Sequence, residues 1–336
     1  MQFKKIILII ALFFTTLPLP AQSPEEQKFS GYLFTYFEGS GEPLSQEHLR
    51  FGISDDGFSW HALNGNKPVV NSDSISQTGG IRDPHILRAE SGDCFYLVAT
   101  DMSAVKNGWK SCNPGIVMMK SDNLVDWQHS FVDVRKTYPE KFGNAQWFWA
   151  PQTIYDPEVD RYMVYFTVIF PDSPLLDFYY VYANDNFDAF AGEPQLMFSA
   201  TYGAIDSDII LKDGVYHLFF KGNVKNEIGK EIQSGIKQAT SKSLRGPWKE
   251  HPDFIDAYAE SKTPIEGSGV FKLNDTEQYI LMYDLFKDMR YEFQRSEDLY
   301  HFTDIPESFI KDFNPRHGTV ISITTEEMKR LCNKWK

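Results

Sequence analysis

GYLFTYF (residues 31–37) and RHGTVISI (residues 316–323) lie near opposite ends of a 336-residue chain, and each lacks the neighbour that its cousins have. Strand sequences of the first kind recur as FYLVATD from 95, RYMVYFT from 161, VYHLFFK from 215 and QYILMYD from 278. Their aligned tyrosines, Tyr32, Tyr96, Tyr162, Tyr216 and Tyr279, are 64, 66, 54 and 63 residues apart. Openers of the second kind, GGIRDPHIL from 79, FWAPQTIYD from 148, GAIDSDIIL from 203 and IEGSGVFKL from 265, precede the last four tyrosine strands. The fifth opener, RHGTVISI, follows them all. A third pattern, a strand ending in a small polar residue, a turn and an aromatic, comes after each tyrosine strand, as in GISDDGFSWHAL (52–63) and MKSDNLVDWQHS (119–130).

Five units of roughly sixty residues result, one of them split between the chain ends. Helical periodicity is scarce, and short Tyr/Phe/Val/Ile runs between turn residues read as all-β. Four-stranded units in a radial ring predict a five-bladed β-propeller, closed by pairing of N- and C-terminal strands in one blade. A stack of unrelated sandwiches would leave the split unit unexplained.

Lys4 and Lys5 precede an apolar run from Ile6 to Leu19, which then turns polar at PAQSPEE. That is the pattern of a secretory signal peptide over residues 1–21, cleaved near Ala21. The run is short for a membrane span, so no membrane insertion is expected after its removal. The expected product is a monomeric single domain over residues 28–336, periplasmic or secreted. A formal net charge of −13 argues against nucleic acid, which requires clustered Lys and Arg, and is compatible with a neutral ligand such as a sugar. Three cysteines, Cys94, Cys112 and Cys332, allow at most one disulfide and have no metal-ligand spacing. Aromatic residues make up 15% of the chain, mostly as core, with a minority available to stack on sugars.

In such a ring each opener begins at one mouth of the central channel, and the returning tyrosine strand ends there. The openers bring Asp83, Gln152, Asp206, Glu266 and His317 to that mouth, and the returning strands bring Phe37, Asp101, Thr167, Lys221 and Asp284. Burying so many charges near an axis costs several kcal/mol unless they are paired, hydrated or used. A channel mouth thus explains the carboxylate inside IRDPHI (81–86), with Pro84 holding the chain extended.

RDPHI (82–86), WAP (149–151), AIDSDI (204–209), IEGSGVF (265–271) and RHGTV (316–320), in this order, resemble glycoside hydrolase family 43 over nearly the whole mature chain. The resemblance implies a five-bladed propeller in which Asp83 is general base, Glu266 general acid and Asp206 the residue that tunes and orients the acid. His317 matches a channel histidine that in relatives contacts a water or a calcium ion. No cofactor is thereby required, and the channel is where a calcium would sit. Gln152 departs from a position that is often acidic, which bears on substrate contacts more than on chemistry.

The resemblance also implies inversion by single displacement, with the two carboxyls roughly 6.5–9.5 Å apart. Like-charge repulsion from Asp206 is expected to keep Glu266 protonated. Substrate contacts are expected from Trp149, Gln152, Lys221, Asp101, Asp284, Arg290 and His317, with Lys221 and Arg290 either binding hydroxyls or neutralising surplus carboxylates. Trp109, Trp147 and Phe148 are further stacking candidates, whereas His48 and His85 read as ordinary residues. The expected substrate is an oligo- or polysaccharide, cleaved by exo action, with α-L-arabinofuranosyl side chains of plant polysaccharides as first choice. β-Xylosidase, galactosidase and a non-catalytic sugar-binding propeller are the alternatives. A retaining β-fructosidase would carry an Asn-Asp-Pro motif in the first blade, and this chain has none.

Overall fold

The computed structural model describes residues 28–39, 44–173, 176–200, 203–225, 231–255, 264–305, 309–310 and 312–335. The expected signal peptide lies outside the described residues. No described helix is long and apolar enough to cross a membrane.

Five antiparallel sheets form the blades. Blade I runs outward from the axis as Ile81–Arg88, Phe95–Asp101, Gly115–Ser121 and Gln128–Asp133. Blade II is Trp147–Asp156, Arg161–Ile169, Asp177–Tyr182 and Gln195–Ser199, and blade III is Ile205–Lys212, Val215–Lys225, Glu231–Ser241 and Lys249–Glu250. Blade IV is Glu266–Lys272, Tyr279–Leu285, Arg290–Ser296 and Thr303–Asp304. Blade V takes its inner strand, Arg316–Thr324, from the C-terminal end and its next three, Phe29–Phe37, Arg50–Ser54 and Ser59–Ala62, from the N-terminal end. A short fifth strand, Phe309–Ile310, adds parallel to Ser59–Ala62. The predicted closure is therefore present, with Leu33 opposite Ile321 and Phe34 opposite Val320. Gly318 permits this approach, because a Cβ there would sit 2.0 Å from the Thr35 carbonyl oxygen.

Apolar residues alternate along the strands onto both faces, so each blade buries one face against the next. Five hydrophobic clusters result, one at each junction between neighbouring blades. Val98 and Ile116 meet Val164 and Phe166 between blades I and II, and Phe34 and Trp60 meet Phe271 and Phe293 between blades V and IV. Most of the aromatic residues serve here, as the composition suggests.

The C-terminal helix, Thr325–Lys334, locks the seam. Thr324 caps it in a reciprocal box with Glu327, and Leu331 and Trp335 bury against the blade V–blade I junction. Arg88 of blade I joins this arrangement through two hydrogen bonds to Glu327, at 2.8 and 2.7 Å, and lies against the rings of Phe29 and Phe95. The three cysteines are free. Truncating Arg88 leaves Glu327 buried without its cation, so Arg88→Ala should lower unfolding free energy in urea by about 3 kcal/mol. Arg88→Lys should recover little, since it cannot make the two-pronged contact. A loss below about 1 kcal/mol would show that this contact does not secure the seam.

Candidate active site

The inner strands share a local irregularity that aims side chains into the channel. In every blade one residue is inserted opposite the returning strand: the pairs Arg82–Thr100, Trp149–Thr167, Ile205–Lys221, Glu266–Asp284 and Arg316–Phe37 are each followed by a register shift. In blades I to IV the next residue occupies the left-handed region: Asp83 (φ 50°), Ala150 (φ 46°), Asp206 (φ 54°) and Gly267 (φ 65°). Such backbone costs about 1–2 kcal/mol for a non-glycine residue. Asp83 is thus not extended before Pro84 as expected. The twist instead swings its carboxylate to the axis, while the Pro84 carbonyl accepts the Thr319 hydroxyl at 3.2 Å. At Gly267 a Cβ would meet the His317 side chain at 3.0 Å, so glycine lets blades IV and V close around the acid beside it.

Asp83, Asp206 and Glu266 line one cavity of about 250 Å³, together with Phe37, Arg82, Met102, Trp109, Trp149, Ile205, Lys221, Arg316 and His317. Thr100 donates to Asp83 Oδ2 at 2.8 Å and itself accepts from the Ala150 amide at 2.9 Å. The Gly267 amide donates to Asp206 Oδ2 at 3.0 Å. Glu266 accepts from Lys221 at 2.9 Å and from Arg316 at 3.2 Å. Arg316 is held from behind by Asp284, through its Nε.

His317 stands between the first two carboxylates, its Nδ1 3.6 Å from Asp83 Oδ1 and 3.7 Å from Asp206 Oδ1. These separations exceed hydrogen-bond length but leave strong charge attraction at a site removed from water. Burial alone would push the imidazole down; Asp206 and Asp83 outweigh it and lift it to about 9, so the ring is a cation at neutral pH. For Asp83, burial pushes up, and His317, Arg82 and Thr100 overcome it, leaving the carboxyl below its usual value. Asp206 ends at about 6, raised by burial and the like charges of Glu266 and Asp83 against the pull of His317. Burial carries Asp284 to about 7 despite Arg316. Like charge thus acts on Asp206, while Glu266 lies between two cations, Lys221 and Arg316.

Several expectations need correction. Gln152 is buried outside the cavity, beside the Tyr165 hydroxyl, because the inserted residue puts Trp149 and Ala150 at the positions facing the axis. Asp101 is also fully buried and accepts from Ser76, Gln77 and Thr78, anchoring that loop. Arg290 is 53% exposed and pairs with Glu292, away from the cavity lining. Asp284 lies one layer beneath the lining, behind Arg316. Trp149, Lys221 and His317 line the cavity as expected. Among the described residues no group of three His, Cys, Asp or Glu is placed to hold a metal ion. Arg82 and Arg316 went unrecognised; both occupy the position just before the register shift, which aligning the paired strands would have exposed.

A family model described as a probable glycosyl hydrolase domain matches residues 27–329. An α-L-arabinofuranosidase of Bifidobacterium longum subsp. longum is 26% identical over 294 residues, covering 76% of this chain and 27% of that relative, so the chain spans only about a quarter of its length. An α-L-arabinofuranosidase structure from Clostridium thermocellum superposes with TM-score 0.59 at 11% identity, covering 86% of this chain and 91% of that one. An endo-1,4-β-xylanase structure from Bacteroides thetaiotaomicron gives 0.56 at 16% identity, over 84% of this chain and 94% of that one. These structures share its fold.

The raised value at His317 fixes a pH signature. A group whose value rises on folding adds stability below its unfolded value and loses it as pH climbs through the folded one. The stability lost in His317→Gln, measured against wild type in urea, should therefore be largest at pH 6.5 and shrink towards zero through about pH 9. A pH-independent difference would mean the ring is not a cation in the folded protein.

Proposed function

The chain belongs to the glycosyl hydrolase family 43-related domains, and from that premise we propose that it is an exo-acting, inverting glycosidase with Asp83 as general base and Glu266 as general acid. The observation that carries this reading is the single cavity into which blades I, III and IV each send one carboxylate. Inversion requires a base that activates water on one face of the sugar and an acid that protonates the leaving oxygen on the other. Blades I and IV are separated by blade V, which leaves room for a ring between their carboxylates. Asp83, held below its usual value by His317, is ionised and ready to take a proton from water. Lys221 and Arg316 hold Glu266 in place, and Asp206, at about 6, is a neighbouring carboxyl that carries a proton just below neutrality.

The cavity's size supports exo action: about 250 Å³ falls below the roughly 300–1,000 Å³ of sites for larger ligands and suits one sugar ring. Its charges are internally matched, with Arg82 on Glu47, Arg316 on Asp284 and Glu266, and Lys221 on Glu266, which favours a neutral sugar. The arabinofuranosidase relative supports an α-L-arabinofuranosyl group as the sugar released, which we place on plant polysaccharide side chains.

Asp83→Asn and Glu266→Gln should each lower kcat on the best nitrophenyl glycoside of an arabinoside, xyloside and galactoside panel by about 10²–10⁴-fold. A dinitrophenyl leaving group, which needs little protonation, should restore Glu266→Gln but not Asp83→Asn. Proton NMR of wild-type turnover should show the inverted anomer first; a retained anomer would overturn the single displacement. Sugar binding without turnover across the panel would identify a binding propeller instead.

A further inference from the structure

Beyond the carboxylates, the cavity mouth carries an assembly that the proposed chemistry does not use. Glu47, from the turn Leu44–Glu47, is completely buried. Its carboxylate accepts from Arg82 at 2.7 Å, from the Ser103 hydroxyl at 2.8 Å, and from the amides of Ala104 and Val105 at 3.0 and 3.1 Å. One buried anion therefore fixes both the guanidinium of Arg82 and the start of the loop that carries Trp109. That loop is tied at three further points: Lys106 to Asp73 and the Gly79 carbonyl, Asn107 to the Thr78 carbonyl, and Trp147 to the Ser111 carbonyl.

Arg82 lies with its guanidinium carbon 4.5 Å from the Phe37 ring centre and 4.7 Å from that of Trp109. Only one of its nitrogens, Nη1, donates to Glu47; its remaining donors have no hydrogen-bond partner among the described residues, and the side chain lines the cavity. Trp109 lines the same cavity while remaining 53% exposed. A large aromatic half in water is unusual on a surface otherwise built to bury such rings. Here it stands against Arg82 on the cavity lining, where the next unit of a sugar chain would lie if its terminal ring occupies the cavity.

We propose that Glu47, Arg82 and Trp109 form a subsite for the sugar unit next to the one cleaved, Trp109 stacking on that ring and Arg82 donating to its hydroxyls. The inference rests on the glycosidase reading and adds what that reading lacks, a device for distinguishing a polymer end from a lone glycoside. Glu47 acts as a positioning residue: without its charge, Arg82 loses its anchor and the Trp109 loop loses three bonds. Stacking on an aromatic ring and hydrogen bonds from a charged donor each strengthen the hold on that sugar unit. The combined effect should therefore be readable as a ten- to hundredfold change.

The test compares two substrates of the same terminal sugar, chosen from arabinan, xylan and galactan fragments by the best wild-type turnover. One is the oligosaccharide and the other the glycosyl fluoride, whose leaving group offers nothing to stack on or to hydrogen-bond. Trp109→Ala should lower the ratio of kcat/KM on oligosaccharide to kcat/KM on fluoride about ten- to hundredfold, mainly through KM. Glu47→Gln, whose folding is checked by its urea transition, should lower the ratio in the same direction, and Trp109→Phe should largely restore it. Equal losses on both substrates, or no loss on either, would overturn the subsite. Calorimetric titration of the oligosaccharide into Glu266→Gln, with and without Trp109→Ala, reads the subsite independently of turnover. A weaker Kd with Trp109→Ala supports the subsite even in a protein that hydrolyses nothing, and an unchanged Kd overturns it.

Discussion

A ring of sheets holds together only if its last strand meets its first, and the pairing of Phe29–Phe37 with Arg316–Thr324 makes that contact. Its importance goes beyond hiding a strand edge. Blade V stands between blade I, which carries Asp83, and blade IV, which carries Glu266. The two residues proposed to exchange protons with opposite sides of a glycosidic bond are therefore spaced by the one blade assembled from both chain ends. Leu331 and Trp335 of the C-terminal segment, and Arg88 with Glu327, reinforce the same seam. Closure and the spacing of these two carboxylates are one constraint.

The second organising feature is alternation of charge through successive layers. Cations at the cavity surface are backed by buried anions: Arg82 by Glu47, and Arg316 by Asp284. Stripping water from such groups costs several kcal/mol each, and a partner on both sides offsets much of it. The same layering spreads titration across the site, so that His317 stays positive to about 9 while Asp206 sits at about 6. Removing one member redistributes the proton affinities of the others, because the groups interact strongly.

The repeat spacing carried most of the fold. The tyrosine strands, the displaced opener at RHGTVISI and the seam were all present in the sequence as patterns of residue type, since each blade must bury the same two faces. Asp83, Asp206 and Glu266 could be read for a similar reason, as acids on otherwise apolar inner strands. Gln152 was misplaced because a single inserted residue shifts the inner strand past its partner, and Asp101 because the blade I strand reaches the equivalent pairing one residue earlier, at Thr100. Glu47 was invisible because its partners, Arg82 and Ser103, come from distant segments, and nothing in a short turn marks an acid as buried.

The split blade also bears on how the molecule is made. Thr35 leaves the ribosome 284 residues before Thr319, whose carbonyl its hydroxyl reaches in the finished protein. Until the final strand emerges, the N-terminal hairpin presents an unpaired backbone edge to everything around it, and contacts so remote along the chain form slowly. A nascent or truncated chain therefore lacks the partner for that edge and leaves it open to other strands.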